Sequence, residues 1–177
     1  GDENDVLNRF INAAKENKIS RIIRICADNP FLDILSLKVL IEKFSMSSCD
    51  YMSFSTSEGI PTIKTHYGFW AEAVTLEALE KVSELTNEKL YHEHVTNYIY
   101  THKANFRCQF IEIDREVEQM RIRLTLDTLS DFEMQKEIYS VLVETNNEFS
   151  IKHVIDVLNK HPKFFEIMDE QIQLNSK

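Results

Sequence analysis

Glycine is scarce in this chain, which has only Gly1, Gly59 and Gly68 among its 177 residues. P-loops and dinucleotide-binding loops need several glycines at fixed spacing, because only then can backbone N–H groups approach a phosphate closely. Neither fingerprint is present. The sequence therefore excludes both of these phosphate-binding motifs.

Cysteine and long apolar runs are also sparse. Cys26, Cys49 and Cys108 are scattered and form no Cys-x-x-Cys pair, which indicates reduced thiols rather than a disulfide framework. No apolar run approaches the roughly 18 residues of a membrane span, and no signal peptide opens the chain. We expect a soluble, cytoplasmic protein with no membrane partner.

Positive charge is in deficit. The chain has 20 lysine and arginine residues against 29 aspartate and glutamate residues, for a net charge of −9. No lysine-arginine cluster interrupts this excess, which argues against nucleic acid or an anionic membrane as a partner. A phosphorylated ligand stays open, because a bound metal ion can reverse the local sign of the charge.

The periodicity of apolar residues predicts one α/β domain over residues 1–177, large enough to bury a core. Predicted helices begin after Asp2 or Asn4, after Asp33, at Thr75, at about Asn87 (running to His102), at a Ser130–Glu133 capping box and after Ser150. Predicted strands cover 21–27, 51–56, 69–74, 106–110 and 122–126. The residues expected on the inner face of the helix after Ser130 are Phe132, Tyr139, Leu142 and Val143. The tail to Lys177 is expected to be irregular or weakly helical.

The stretch from Arg21 to Pro30 organises the rest of the chain. Its apolar run is typical of a short buried strand, and Asp28-Asn29-Pro30 ends it abruptly, because proline forces the preceding residue into an extended conformation. Asp28 is thus left at the carboxyl end of a strand, where open α/β sheets place their ligands. Alternatively, Asp28 only caps a turn.

A second carboxylate, that of Asp127, follows the predicted strand 122–126. Magnesium takes one or two carboxylates from a protein, with phosphate and water completing its shell. Asp28 and Asp127 would suit that pattern if they meet, which the residue pattern alone does not show.

His92-Glu93-His94 invites a metal-binding interpretation that helical geometry opposes. Residues two apart point about 200° away from each other on a helix, so the two imidazoles cannot chelate one ion. His94 lies on the predicted apolar stripe, which favours a partly buried histidine over a substrate contact, and His92 faces away.

The segment from His66 to Glu72 contains the single tryptophan, Trp70, and one of the three glycines. It is compatible with core packing beside a close approach of two backbones. It is equally compatible with a pocket that has aromatic walls and one convergent carboxylate.

Several motifs resemble the spore-coat polysaccharide biosynthesis protein F family, relatives of CMP-KDO synthetase and acylneuraminate cytidylyltransferases. The first ten residues, GDENDVLNRF, resemble the family's G-x-x-x-D-V-L-x-R-[FY], and Arg24–Pro30 resembles its R-x-x-x-D-N-P. Glu93–Thr96 is similar to its E-H-V-T, and Leu124–Asp131 to its L-T-x-D-T-x-x-D. The order and spacing of these motifs extend the resemblance from residue 1 to about 175.

The resemblance implies a Rossmann-like nucleotide-diphosphosugar transferase sandwich with a mixed, mostly parallel sheet. It implies nucleotidyl transfer, in which a hydroxyl of a sugar or sugar acid attacks the α-phosphate of CTP or another NTP, for surface or spore-coat polysaccharide. The magnesium aspartates of the family fall on Asp28 and Asp127, which become the candidate catalytic and metal-binding residues. The candidate substrate-binding residues are Arg24, Asn29, His66, Trp70, Glu72, Glu93, His94 and Arg123.

The chain departs from the family at its start. The family begins with a strand and a basic, glycine-containing loop that holds the nucleotide, and this sequence starts after that segment. We therefore expect a domain truncated at the N-terminus that does not turn over NTP as an isolated chain. Uncovered sheet edges and apolar surface further predict a homodimer or a partner chain.

Two alternative functions remain open from the sequence. One is a non-catalytic sugar- or nucleotide-binding module on the same sheet. The other is a glycosyltransferase, which the absence of an Asp-x-Asp at a strand end disfavours.

Overall fold

The structure, a computed structural model, describes residues 1–3, 5–145 and 149–175. Its helices and strands, in chain order, are α1 (Val6–Glu16), β1 (Arg21–Arg24), α2 (Ile34–Met46), β2 (Tyr51–Ser55), β3 (Glu72–Thr75), α3 (Leu76–Leu85), α4 (Lys89–Glu93), α5 (Asn97–Thr101), β4 (Cys108–Glu112), α6 (Arg115–Glu118), α7 (Leu129–Glu144), α8 (Ile151–Lys160) and α9 (Lys163–Leu174). The predicted α/β class is confirmed.

The chain groups into two compact units. The first unit consists of Gly1–Arg24, Leu40–Ser53 and Glu72–Ile111, and the second of Ile25–Val39, Phe54–Ala71 and Glu112–Lys177. The core of the first unit is an apolar cluster of Leu7, Ile11, Tyr51, Val74, Ala78, Leu79, Val82, Val95, Ile99 and Phe106. In the second unit, α7 packs against α8 and α9.

The sheet has the strand order β1-β3-β2-β4 among the described residues. β3 pairs antiparallel with β1, with Arg24 opposite Glu72, and antiparallel with β2, with Tyr51 opposite Val74. β1 and β2 therefore run in the same direction on either side of β3. β1 ends at Arg24 rather than Ala27, because the backbone turns as the Asn29 N–H donates to the Cys26 carbonyl.

Several predicted helix starts are confirmed by capping hydrogen bonds. The Asp33 carboxylate accepts from the Ser36 N–H at the start of α2, the Thr75 side chain caps α3, and Ser150 caps α8. The cap of α1 was predicted wrongly, since the side chain of Asp5 accepts from the Asn8 N–H. Asn4 lies outside the described residues.

The single helix predicted over 87–102 is wrong. The chain forms α4 and α5, with His94, Val95 and Thr96 between them. Thr96 is buried and donates to the Glu72 carboxylate at 3.1 and 3.0 Å. This tertiary contact of Thr96 lies at the interruption between α4 and α5.

The predicted strand 122–126 is wrong, because in the described residues this segment forms no strand and joins no ladder of the sheet. Its backbone N–H groups donate to two separate loops: Leu124 to the His66 carbonyl at 2.8 Å and Leu126 to the Asp28 carbonyl at 2.9 Å. Residues 122–125 are all buried, so the apolar and polar residues of the segment do not alternate between a buried and an exposed face. Another strand prediction, 69–74, also needs correction, because β3 begins only at Glu72.

The start and the buried face of α7 differ from the prediction. The capping box consists of Thr128 and Asp131 rather than Ser130 and Glu133. Leu142 is buried as expected, whereas Phe132, Tyr139 and Val143 are exposed. The buried residues of α7 are Asp131, Met134, Gln135, Ile138 and Leu142.

The tail, expected to be irregular or weakly helical, forms the regular helix α9. Phe164 and Met168 are buried on one of its faces. Across the described ranges, the helices are too short and too polar for any of them to cross a membrane.

Candidate functional site

Asp28 lies in the turn that follows β1, as the sequence predicted, and its side chain is half-buried. Asp28, Asn29, Trp70 and Thr125 line a small cavity of about 30 Å³ in the second unit. The Asn29 side-chain amide reaches the Trp70 carbonyl at 3.5 Å. The polar residues after β1 therefore face Trp70 and the segment that precedes Asp127.

The segment 124–126 brings Asp127 beside this turn. The Leu126 N–H donates to the Asp28 carbonyl at 2.9 Å, which fixes the two stretches of backbone against each other. The Thr125 hydroxyl donates to Asp127 Oδ2 at 2.9 Å, and Thr125 also lines the small cavity that contains Asp28. The two predicted carboxylates thus belong to neighbouring segments of one site.

The Asp127 carboxylate is held from one side and open on the other. Its Oδ2 atom accepts from Thr125 and from Arg123 Nη2, the latter at 3.1 Å. The Asp127 side chain is 38% exposed. Hydrogen bonds to a single carboxylate oxygen leave the second oxygen accessible to a ligand.

Arg123 and Asp131 form a buried ion pair beneath Asp127. Both side chains have zero exposure, and Arg123 Nε and Nη2 each donate to the Asp131 carboxylate at 2.8 Å. Asp131 also accepts from the backbone N–H groups of Asp127 and Thr128, at 3.1 and 2.9 Å. Asp131 therefore fixes the backbone of Asp127 as well as the arginine that contacts it.

The pKa values of this pair reflect the same contacts. Burial alone would raise the pKa of the Asp131 carboxyl, but the hydrogen bond from Arg123 and the backbone donors outweigh it and hold the pKa below its usual range. The hydrogen bond to Asp131 raises the pKa of Arg123. Both groups are therefore charged at neutral pH.

His66 completes this network. Arg123 Nη1 lies 2.8 Å from His66 Nδ1, and a guanidinium can only donate, so Nδ1 accepts and the ring proton sits on Nε2. The His66 carbonyl accepts from Leu124 and Thr125. His66 is thus tied to the segment that carries Asp127 through both its backbone and its ring.

Trp70 is buried in an aromatic group of the second unit. Its ring is stacked on Phe54 with centroids 5.8 Å apart and makes edge contacts with Tyr67 and Phe69. Besides the small cavity of Asp28, Trp70 lines a second cavity of about 880 Å³. Both interpretations of this segment therefore have support, since Trp70 is a core residue and also a pocket wall.

Arg24 and Glu72 lie in the first unit and bind each other. Arg24 Nη1 donates to Glu72 Oε2 at 2.6 Å, and Glu72 also accepts from the hydroxyls of Tyr51 and Thr96. Burial raises the pKa of Tyr51 well above its usual range, and the Glu72 charge adds to this effect. Glu72 is 2% exposed, which is the environment of a structural carboxylate rather than of a substrate contact.

Glu93 and His94 are exposed at the end of α4 in the first unit. The expected partly buried environment of His94 is wrong, because the helix ends there. His92 is the half-buried histidine instead: its Nδ1 lies 2.9 Å from Asp5 Oδ1 and its Nε2 lies 3.0 Å from the Thr86 carbonyl. Both ring nitrogens face acceptors, which favours the imidazolium ion.

Throughout the part of the chain that the structure describes, no group of three or more histidine, cysteine, aspartate or glutamate residues could hold a metal ion. A site of two carboxylates does not need such a group, because magnesium commonly takes only one or two carboxylates from the protein. Asp28 and Asp127 are carboxylates of the kind that magnesium takes, and they lie on two stretches of backbone joined by the hydrogen bond from Leu126 to Asp28.

Asp131 and Thr125 are site residues that the sequence pattern did not single out. The Thr128-x-x-Asp131 spacing is a capping box and could have marked Asp131 as a buried acceptor. Thr125 is the first threonine of the L-T-x-D-T-x-x-D motif, which could have marked it as a candidate.

Comparisons with known proteins identify the family of this chain. A family model described as cytidylyltransferase matches residues 1–168. The chain is 34% identical over 167 residues to protein MJ1063 of Methanocaldococcus jannaschii, covering 94% of this chain and 65% of the relative. It is also 34% identical over 163 residues to the spore coat polysaccharide biosynthesis protein SpsF of Bacillus subtilis, covering 92% of this chain and 64% of that protein.

A solved structure shows the same fold. A cytidylyltransferase from Leptospira borgpetersenii superposes with a TM-score of 0.76 over 93% of this chain and 66% of that one, at 24% identity. The predicted nucleotide-diphosphosugar transferase type of fold is thereby confirmed. The chain spans somewhat less than two thirds of the length of the relatives from M. jannaschii and B. subtilis. Because the family model covers nearly the whole sequence, this chain belongs to the cytidylyltransferase family.

Proposed function

We propose that the protein to which this chain belongs transfers a cytidylyl group from CTP to a sugar, with Asp28 and Asp127 as its metal-binding residues. The observation that carries the proposal is the hydrogen bond from the Leu126 N–H to the Asp28 carbonyl, which brings the two acidic segments together within a chain of this family. In this reaction a sugar hydroxyl oxygen forms a bond to the α-phosphorus of CTP. The bond from that phosphorus to the bridging oxygen breaks, and pyrophosphate leaves.

The charges of the site suit CTP bound together with magnesium. Magnesium, when bound, neutralises phosphate charge and aligns the attack. Asp127 offers the oxygen that Arg123 and Thr125 do not engage, and Asp28 lines the adjoining cavity. Asn29 and Trp70 line the same cavity, His66 contacts Arg123, and Arg123 holds Asp127 in place. Glu93 and His94 stay candidate substrate contacts.

A role in polysaccharide synthesis is part of the same proposal. Similarity to a protein named for spore coat polysaccharide biosynthesis supports a role in the synthesis of a surface polysaccharide. A cytoplasmic location is supported by the cysteines Cys26, Cys49 and Cys108, none of which forms a disulfide bond among the described residues.

Isothermal titration calorimetry with CTP, in the presence and absence of magnesium, tests the proposal. We expect binding that requires magnesium and is lost in Asp28→Ala and Asp127→Ala. Glu133→Gln, on the exposed side of α7, serves as the control and binds like the unaltered chain. Magnesium-independent binding, or binding retained in both aspartate variants, would contradict the assignment of these two residues.

A further inference from the structure

The C-terminal helix α9 contacts the segment that carries Asp127. The Thr128 hydroxyl donates to Gln171 Oε1 at 3.0 Å, and Arg121 Nε lies 3.0 Å from Asp169 Oδ1. The side chains of Arg121 and Asp169 are 58% and 41% exposed, so their ion pair contributes little. Gln171, in contrast, is 9% exposed. Its hydrogen bond with Thr128 is therefore a buried contact between α9 and the start of α7.

The Thr128 hydroxyl makes two hydrogen bonds, one as acceptor and one as donor. Its oxygen accepts from the Asp131 N–H at 3.1 Å and caps α7. Its single hydrogen can be given to one acceptor, and that acceptor is Gln171 Oε1, which Asn175 Nδ2 also approaches at 3.3 Å. A threonine side chain has several staggered χ1 positions. The bond to Gln171 favours the position in which the Thr128 oxygen faces the Asp131 N–H.

The cap of α7 determines where the backbone of Asp127 lies. Asp131 Oδ2 accepts from the N–H groups of Asp127 and Thr128, at 3.1 and 2.9 Å. Asp131 is fully buried, and the Thr128 hydroxyl holds its backbone N–H in return. A path of hydrogen bonds therefore runs from Gln171 through Thr128 and Asp131 to the N–H group of Asp127.

We infer that Gln171 is a positioning residue for Asp127 and acts on it through the Thr128 hydroxyl. The Asp127 side chain is 38% exposed, so its place depends on the contacts that hold its backbone. Carboxylates that bind a metal ion depend on such supporting contacts, whose loss typically costs about 10–100-fold in metal affinity. The inference rests on the proposed function for the metal that Asp127 binds, whereas the path from Gln171 to the Asp127 backbone rests on the hydrogen bonds alone.

Amide hydrogen exchange, followed by NMR without nucleotide or magnesium, measures the effect at Asp127 itself. Gln171→Met keeps the approximate length of the side chain and removes the acceptor, so the Thr128 hydroxyl loses a buried partner. We expect the Asp127 N–H of this variant to exchange about tenfold faster, which is the equilibrium effect of losing one hydrogen bond.

Met168→Val is the matched control on the same helix. Met168 is fully buried, and the smaller side chain weakens the packing of α9 while leaving the Gln171 side chain unaltered. Exchange of the Asp127 N–H should change by less than about twofold in this variant, and urea denaturation shows how much stability each variant has lost. Equal acceleration in Gln171→Met and Met168→Val would mean that the packing of α9 alone matters, which overturns the inference.

Thr128→Val tests whether Gln171 acts through the Thr128 hydroxyl. If it does, the double variant with Thr128→Val and Gln171→Met exchanges the Asp127 N–H no faster than Thr128→Val alone. Additive accelerations overturn the inference, as does an Asp127 N–H that exchanges at the unaltered rate in Gln171→Met.

Calorimetry with CTP and magnesium gives the functional readout for the same variants. Gln171→Met should weaken magnesium-dependent binding about tenfold, the lower end of the range for a lost supporting contact, and Met168→Val should leave it unchanged. Unweakened binding by Gln171→Met overturns the positioning role. If the unaltered chain itself binds no CTP, the proposed function fails, and the exchange rates alone decide whether Gln171 positions Asp127.

Discussion

Gly68 lies where the loop 66–68 passes against the backbone of the segment leading to Asp127. Its φ is +72°, and a Cβ atom at this position would lie 2.5 Å from the Leu124 carbonyl oxygen. Glycine is required both by the left-handed conformation and by the close approach. The close approach of two backbones, one of the interpretations that the sequence of this segment allowed, is therefore confirmed.

Gly68→Ala should destabilise the chain by about 3 kcal/mol or more, because the strain of a positive φ is joined by a clash with backbone. Gly59 is the matched control: its φ is +77°, and no atom lies within 4 Å of the position that a Cβ would take. Gly59→Ala should cost only about 1 kcal/mol. Urea denaturation of both variants measures the difference, and equal losses would contradict the close approach.

Asp127 and Asp131 are four residues apart, and substitution of each should affect stability and CTP binding differently. Asp131→Ala leaves the buried Arg123 with only the partly exposed Asp127 carboxylate as a counter-charge and should cost about 3–5 kcal/mol of unfolding free energy. Asp127 is 38% exposed, and Asp127→Ala should cost no more than about 1 kcal/mol while removing magnesium-dependent CTP binding. Thermal denaturation compares the two. If Asp127→Ala is less stable than Asp131→Ala, the role of Asp127 is structural.

The site residues differ in how far the sequence could identify them. Asp28 and Asp127 follow recognisable extended segments, so their placement could be predicted. Glu72 could not be assigned correctly, because its partners Arg24, Tyr51 and Thr96 are 48, 21 and 24 residues away in the chain. Only the folded structure shows that these three side chains donate hydrogen bonds to the Glu72 carboxylate.

At the level of elements, α7 shows how a sequence can offer two alternative starts for one helix. Thr128-x-x-Asp131 and Ser130-x-x-Glu133 both satisfy the capping-box pattern, and the structure uses the first. The buried ion pair of Asp131 with Arg123 decides between them. That pair is a tertiary contact, which the local pattern does not contain.

Thr128→Ala should therefore cost about 1 kcal/mol of stability. Ser130→Ala should change stability by less than about 0.5 kcal/mol, since Ser130 is not the cap. Chemical denaturation of the two variants in parallel measures both effects. A larger loss for Ser130→Ala would place the start of α7 two residues later.

The contact between His92 and Asp5 joins α4 to the cap of α1 and should make stability depend on pH. Burial alone would lower the pKa of His92, but hydrogen bonds to Asp5 and Thr86 outweigh it and raise the pKa. The pKa of Asp5 is lowered: burial opposes this, and hydrogen bonds from Asn8 and His92 prevail. The histidine contribution is thus present below its unfolded pKa of about 6.5 and is lost as pH rises through its raised folded pKa.

His92→Gln should accordingly be destabilising at about pH 5.5 and closer to neutral at about pH 8.5. The stabilising contribution of Asp5 has the opposite pH dependence. It is retained over this range, because it is lost only as pH falls through the lowered pKa of Asp5. Urea denaturation of the variant and the unaltered chain at both values gives the comparison. A destabilisation by His92→Gln that grows with pH would contradict a stabilising contact between protonated His92 and Asp5.

Some element predictions succeeded because the decisive contacts are local. The caps at Asp33, Thr75 and Ser150 bond to N–H groups three residues away, within the range that a sequence pattern covers. The predicted helix 87–102 failed because a long-range bond from Thr96 to Glu72 interrupts it. Periodicity describes which face could be buried but not which contact ends a helix.

For the molecule as a whole, the family and the fold are established, and the assembly is not. The expected homodimer stays a prediction, which light scattering at high protein concentration would decide. The chain spans 64–65% of the length of the relatives from M. jannaschii and B. subtilis, and cytidylyl transfer stays a proposal.

The central claim is that Asp28 and Asp127 bind one cation, and a double-mutant cycle tests it most directly. Magnesium-dependent CTP affinity is measured for Asp28→Ala, Asp127→Ala and the double variant. If both side chains ligate one ion, each single change removes nearly the whole magnesium effect, and the double variant loses little more. Additive losses, or a magnesium effect that survives in either single variant, would contradict a shared cation.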